Sequence, residues 1–249
     1  MEKFTVDGIV IRTSVTGEAD RIVWILTRDR GLIRAFAKGA RGTKSRLHST
    51  TSLFAYCEFS FSEKNNVFSV REAQLKEVFF DLRRDMQTLT LAQYFCEIIS
   101  KVIPENCDED FYLRLLLNSL HFLCKANKPP LFLKSVFELR LTCAVGYMPS
   151  LVACDECGEF LTDIMYFNCQ NGKLLCSKCG MGGSFADIPA AVVSAMRHIC
   201  YSDFNKIFSF ELSEDGLIIL NRITEKYLKN SVEQNFKLLD YFFDIQKMD

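Results

Sequence analysis

Two cysteine pairs stand out, Cys154-Asp155-Glu156-Cys157 and, after eighteen intervening residues, Cys176-Ser177-Lys178-Cys179. Two C-x2-C knuckles at this separation match the spacing of a tetrahedral zinc site. Each pair predicts a tight turn that aims two thiolates inward, and Gly158 and Gly180, directly after the pairs, are expected to supply positive-φ freedom. Four sulfurs close the coordination shell. The expected ion is therefore one structural zinc per chain, since a hydrolytic or deaminating zinc keeps a position for water. No H-x-E sequence accompanies the pairs. A redox pair of the thioredoxin kind needs a βαβ context, which the pattern does not offer. A metal-free ribbon would have little core of its own.

The chain holds eleven cysteines, an odd number that rules out complete internal pairing. Cys57, Cys96, Cys107, Cys124, Cys143, Cys169 and Cys200 stand singly, mostly in apolar stretches where a free cysteine acts as a small hydrophobe. Cys169 lies between the two pairs but outside their spacing and reads as a bystander. Thiols and metal ligands suit a reducing compartment. The start, Met1-Glu2-Lys3-Phe4-Thr5-Val6-Asp7-Gly8, lacks the apolar core of a signal peptide, so the expected location is the cytoplasm. No apolar run reaches the roughly 18 residues of a membrane span.

The second chemical signal is charge. Between Arg21 and Arg46 lie eight cations, Arg21, Arg28, Arg30, Arg34, Lys38, Arg41, Lys44 and Arg46, against the single acid Asp29. The whole chain carries a net charge of −1, so it is no polycation, and any affinity for polyanions must be local. Residues 1–80 carry +4 and the rest −5. In the densest part, residues 38–46, glycines and small hydroxyl residues interleave with the cations, which predicts backbone N–H groups and side chains approaching phosphates together. Such a surface suits a phosphate backbone rather than base readout. The pattern G-x-x-x-x-G-K-[ST] is not matched, so NTP hydrolysis gains no support. Trp24, Phe36 and Phe54 could offer stacking faces, but aromatics in short strands are expected in the core.

The elements that must carry these residues follow from periodicity. Residues 4–11, 21–27, 32–38, 53–61 and 67–78 read as five short strands, with Gly31 in one turn and Glu63-Lys64-Asn65-Asn66 in another. Five strands in so short a span suggest a small barrel of the oligonucleotide-binding (OB) type, with an SH3-like barrel as the rival. From Asp81 the spacing becomes helical until Pro104. Asp108-Glu109-Asp110 opens a second helix, residues 111–125. Further helices are expected at 131–145, 189–201, 213–229 and 236–245, opened by Pro129 and Pro130, by Pro189 and by Ser213 where these residues stand. The fold class is therefore α+β: an OB-type domain over residues 1–80, a helical domain over 81–249, and a zinc ribbon inserted at 150–184.

In this order the chain resembles the RecO family of bacterial recombination mediators. The resemblance rests on Gly17-Glu18-Ala19-Asp20-Arg21-Ile22-Val23, Leu26-Thr27-Arg28-Asp29-Arg30-Gly31-Leu32-Ile33, Ala37-Lys38-Gly39-Ala40-Arg41 and Lys44-Ser45-Arg46, and on the four-cysteine insert after Tyr147. It implies a protein without enzymatic turnover that binds single- and double-stranded DNA and anneals complementary strands. It further implies RecR as a partner, and engagement of the acidic C-terminal tail of single-stranded DNA-binding protein to help RecA load. By position it assigns Arg34, Lys38, Arg41, Lys44 and Arg46 to DNA and Cys154, Cys157, Cys176 and Cys179 to zinc. Many relatives have a second basic residue where this chain has Gly42, which predicts weaker backbone contact there. For the acidic tail, Arg114, Lys125, Lys134 and Arg140 are candidate cations on the helical segments. Two other classes remain: a zinc-using nuclease or deaminase, for which water-bearing metal or paired carboxylates are missing from the motifs, and a zinc-ribbon scaffold that binds proteins without touching DNA.

Overall fold

The computed structural model describes residues 2–103, 110–180 and 185–246. Cys107, the acids Asp108 and Glu109 expected to open a helix, Pro104 and the last residues of the expected ribbon lie outside the described residues. Five strands, β1 (Glu2–Thr16), β2 (Asp20–Thr27), β3 (Leu32–Ala37), β4 (Ala55–Lys64) and β5 (Val67–Val78), form a closed barrel in the order β1-β2-β3-β5-β4. All neighbours are antiparallel except β3 and β5, whose parallel pairing of Ala35 with Phe68 and Phe36 with Ser69 closes the barrel. That Greek-key order is the OB arrangement and separates it from the SH3-like rival.

The barrel forms because one side of each strand is apolar. Val6, Val10, Val23, Ile25, Ile33, Ala35, Phe59, Phe61 and Val70 converge in its interior, at the alternate positions a pleated strand sends to one face. At Gly8 a side chain has no room: a Cβ would lie 2.6 Å from Ile25 Cγ2 and 2.9 Å from the Leu26 carbonyl oxygen. β1, at 15 residues, is longer than expected, whereas β5 spans the 12 residues expected. Register shifts between Val10 and Arg12 and at two places along β4 and β5 bend them around the barrel. The β4–β5 hairpin turns through Asn65 and Asn66, both at positive φ as a two-residue type I′ turn requires.

The helices are α1 (Leu47–Thr50), α2 (Met86–Val102), α3 (Asp110–Lys125), α4 (Pro130–Ala144), α5 (Ala190–Tyr201), α6 (Glu214–Val232) and α7 (Lys237–Gln246). The helical period expected from Asp81 is broken in two. Phe80–Arg83 is a 3-10 turn, and Asp85 then caps α2 by accepting the Thr88 N–H at 2.6 Å and the Thr88 hydroxyl at 2.8 Å. Ser213 caps α6 through the Gly216 N–H, and Pro130 opens α4 in its first turn.

The chain divides into two compact units, Met1–Lys125 with Phe236–Asp249, and Ala126–Asn235. In the first, the barrel is joined by α2, α3 and α7, and Arg28 bridges Asp7 of β1 (3.2 Å) and Asp110 of α3 (3.5 Å). In the second, α4, α5 and α6 pack with a three-stranded sheet, β6 (Ile164–Phe167), β7 (Leu174–Cys176) and β8 (Ala186–Pro189), in the order β7-β6-β8. Among the described residues no helix is long and apolar enough to cross a membrane.

Candidate metal centre and nucleic-acid interface

The Sγ atoms of Cys154, Cys157, Cys176 and Cys179 all lie within 4.8 Å of one another, and those of Cys157 and Cys176 are 3.6 Å apart. Zinc–sulfur bonds of about 2.3 Å give a tetrahedron with edges of about 3.8 Å, so the four sulfurs fit around one ion with small adjustments. Each pair sits in a turn closed by backbone bonds: the Gly158 N–H donates to the Cys154 carbonyl at 2.9 Å, and the Cys179 and Gly180 N–H groups donate to the Cys176 carbonyl at 3.1 and 2.9 Å. Gly158 adopts φ +77°, as expected. Gly180 does not need positive φ. It is required for space, because a Cβ there would lie 2.5 Å from the Tyr166 ring on β6.

Four thiols in so small a volume cannot all ionise without a cation. Burial raises the Cys154 thiol, but backbone N–H groups and the neighbouring Cys157 outweigh it and bring the value down to about 6. The sulfurs of Cys157 and Cys176 push Cys179 up to about 12. The donor set thus fits a divalent ion that draws all four into thiolates. Cys169 is buried outside this cluster.

The knuckles are held to the helices of their own unit. Asp155 donates its N–H to the Leu174 carbonyl at 2.8 Å, and its carboxylate accepts from Ser150 Oγ and the Leu174 N–H. Arg197 of α5 donates to the carbonyls of Leu151, Val152 and Phe160, and its guanidinium lies 4.1 Å from the centre of the Phe160 ring.

The cationic segment lies between β3 and α1. Lys38, Arg41, Lys44 and Arg46 are exposed, and so is Arg34 on β3. Among the described residues none of these five forms an ion pair with an acid, so their charge faces solvent. The loop is tied to the β1–β2 turn, where the Gly39 N–H donates to Asp20 Oδ1 at 2.7 Å and the Arg41 N–H to the Ala19 carbonyl at 2.9 Å. The N–H groups of Gly42 and Ser45 close turns onto Gly39 and Gly42. These four N–H groups are spent holding the loop, so the exposed cationic side chains and the other N–H groups of the segment are what it can offer a ligand. Arg41 also donates through its guanidinium to the Glu18 carbonyl at 2.8 Å.

Three of the eight cations of the stretch serve the fold. Arg21 donates to the His48 carbonyl at 2.9 Å and to Thr51 Oγ1 at 3.0 Å, Arg28 bridges two acids, and Arg30 covers the Phe4 ring at 4.0 Å. Of the aromatics, Phe54 is fully buried, as expected of core. Trp24 and Phe36 instead face outward, Trp24 half-buried and Phe36 43% exposed. Arg12, which lies outside the cationic stretch, is 4.5 Å from the Trp24 ring, on the β1 side, with Arg34 at 5.5 Å on the β3 side. Only the strand register brings it there, pairing Arg12 with Trp24 and Trp24 with Arg34.

Residues 1–79 match the family model described as recombination protein O N terminal, and residues 83–240 the model described as recombination protein O C terminal. The chain belongs to the RecO family. A relative from Acetivibrio thermocellus, named DNA repair protein RecO, is 37% identical over 249 residues, covering 100% of this chain and 99% of its own length. Relatives of the same name from Symbiobacterium thermophilum and Dehalococcoides mccartyi are each 29% identical over 97% and 99% of this chain, respectively, and over 97% of their own lengths. This is a DNA repair family, and the OB barrel, helical region and four-cysteine cluster are the α+β architecture expected from the sequence.

Two of the four cations considered for an acidic tail are corrected by the structure. Lys134 is fully buried, its Nζ 2.8 Å from Glu138 Oε1 and 3.1 Å from Glu225 Oε2. Arg140 donates to the carbonyls of Ile199 and Cys200. Lys134 thus lies on the inward side of α4, and Arg140 is half-buried with its guanidinium engaged at the end of α5. Arg114 pairs with Asp110 at 3.9 Å, and Lys125 is exposed.

Proposed function

We propose that this RecO-family protein is a recombination mediator that binds single- and double-stranded DNA, anneals complementary strands and, with RecR, helps RecA load onto single strands coated by single-stranded DNA-binding protein. The observation that carries the reading is the set of exposed cations Arg34, Lys38, Arg41, Lys44 and Arg46 gathered along β3 and the loop after it, on a barrel of oligonucleotide-binding topology. By neutralising phosphates there, the barrel would let two strands share one surface without repelling each other, so annealing needs no bond chemistry. Residues 1–80 are assigned to DNA. The domain of residues 81–249, with the ribbon of 150–184, is assigned to partners, including the acidic tail of the single-strand-coating protein.

Cys154, Cys157, Cys176 and Cys179 would hold one zinc, which supplies a rigid crosslink between two turns that have few apolar contacts of their own. With no position left for water, the centre is structural and the protein is not an enzyme. The cytoplasm, where thiols stay reduced and DNA is available, suits both sites.

Salt-dependent DNA binding tests this function. Five cations on single-strand phosphates give a slope of log K against log salt of roughly −3.5. Reversing Lys38, Lys44 and Arg46 to Glu should weaken binding to every sequence alike and flatten that slope, since phosphates carry no base code. A wild-type slope near zero would refute DNA binding at this face and favour a scaffold that binds only proteins.

A further inference from the structure

The outward face of β3 carries a cation and then an aromatic ring, and a second cation follows in the turn directly after the strand. Arg34, Phe36 and Lys38 are exposed, while Ala35 and Ala37 between them are buried. Residues two apart on a strand are about 6.6 Å apart. Bases in a duplex rise only about 3.4 Å along each strand, so the spacing suits a stretched, unstacked strand better than a duplex. On β2, Ile22 pairs with Phe36, and Trp24, one pleat further along the same face, pairs with Arg34 and has Arg12 and Arg34 on its two flanks. A phenylalanine left 43% exposed near the end of a strand paired on both sides is not placed there by the core. Leaving apolar surface in water forgoes the free energy of burial, and both neighbouring positions show how readily β3 turns small apolar residues inward.

We propose that Phe36 is a stacking platform for an unpaired base, with Arg34 and Lys38 holding the phosphates on either side and Trp24 next to the bound strand. The inference rests on the DNA-binding reading above and adds the ligand class that this face selects, single-stranded over paired DNA. Aromatic stacking is indifferent to base identity because every base has a π-face. The preference is therefore for unpaired bases, not for a sequence. In a duplex the base faces are already covered, and only the phosphate contacts of the loop remain. This gives a strand-annealing surface a physical reason to release its product: pairing removes the base faces that Phe36 holds.

The chain has a single tryptophan, so intrinsic tryptophan fluorescence reports on Trp24 alone. The test compares three probes of equal length, oligo(dT), an abasic phosphodiester strand and a blunt duplex, against wild type, Phe36→Ala and Phe36→Tyr. Phe36→Ala is expected to lose between about five- and a hundredfold in affinity for oligo(dT), the scale of one base–aromatic stack, with the abasic strand and the duplex unchanged. Phe36→Tyr should restore oligo(dT) binding, and oligo(dT) should quench wild-type fluorescence more than the abasic strand does. Unchanged oligo(dT) affinity in Phe36→Ala, or an equal loss on all three probes, overturns the platform while leaving phosphate binding by the loop intact. Failure of wild type to bind any of the three overturns the DNA-binding reading itself.

Discussion

Glu97 of α2 accepts the backbone N–H of Leu238, 141 residues further along the chain, at 3.1 Å, and that of Lys237 at 3.2 Å. These are orphan donors of the first turn of α7, which no intrahelical carbonyl can satisfy. The last helix is thereby held on the barrel's own unit, with Phe236 edge-on to Tyr94 at 5.8 Å.

The contact gives an acid-dependent stability. Burial pushes the Glu97 carboxyl up, but Lys101 and the N–H groups of Leu238 and Lys237 outweigh it and hold it below its ordinary value of 4.5. A carboxyl depressed in the folded state contributes fully above its unfolded pKa and loses that contribution as pH falls through the folded one. Glu97→Gln should therefore cost about 1 kcal/mol at neutral pH, and the gap to wild type should close in acid below 4.5. Urea unfolding across that range, with hydrogen exchange of the α7 amides, checks it; a pH-independent gap would contradict the assignment.

Lys134 makes a second prediction. With Nζ between Glu138 and Glu225, and Thr224 Oγ1 donating to Glu138 Oε2 at 2.8 Å, its removal leaves a fully buried carboxylate without its cation. Lys134→Met should cost about 3–5 kcal/mol, whereas Lys134→Met with Glu138→Leu should recover most of the loss. Glu225 keeps Lys229 at 2.9 Å in both variants. Thermal unfolding of the two single variants and the double variant closes the cycle; a double variant as unstable as Lys134→Met would argue against desolvated charge as the cause.

The knuckle glycines should respond differently. At Gly158 an added Cβ meets open space and pays only for φ +77°, about 1–2 kcal/mol. At Gly180 it collides with the Tyr166 ring at 2.5 Å, so the second knuckle must shift. Metal analysis should find about one zinc per wild-type chain. Gly158→Ala should retain it, and Gly180→Ala should release it faster to a chelator. Equal retention in both would show that the ring moves aside freely.

Arg21 separates fold from binding. Arg21→Met loses two hydrogen bonds to the α1 region and should cost about 1–3 kcal/mol in stability. The salt slope for DNA should nevertheless stay within about one unit of wild type. A slope change as large as that of the triple reversal would place Arg21 among the phosphate contacts.

The sequence by itself determined the five barrel strands, most helix ends, the four cysteines that could hold a metal ion and the sign of the charge after β3. Each of these is local: a period of two or of 3.6, a capping side chain, or a spacing of two residues between thiols, fixed by neighbours along the chain. Tertiary structure alone decided which cations are available and which aromatics face out. Arg21 and Lys134 look alike on the page, yet their partners stand 27 and 91 residues away. Trp24 and Phe36 carry no mark distinguishing them from core, because inward or outward is set by the register in which the barrel closes. Arg12 joins them only across a strand pair, and α7 returns to Glu97 only once the chain has folded back on itself. Local pattern fixes what a segment becomes; the closure of the fold fixes what each side chain meets.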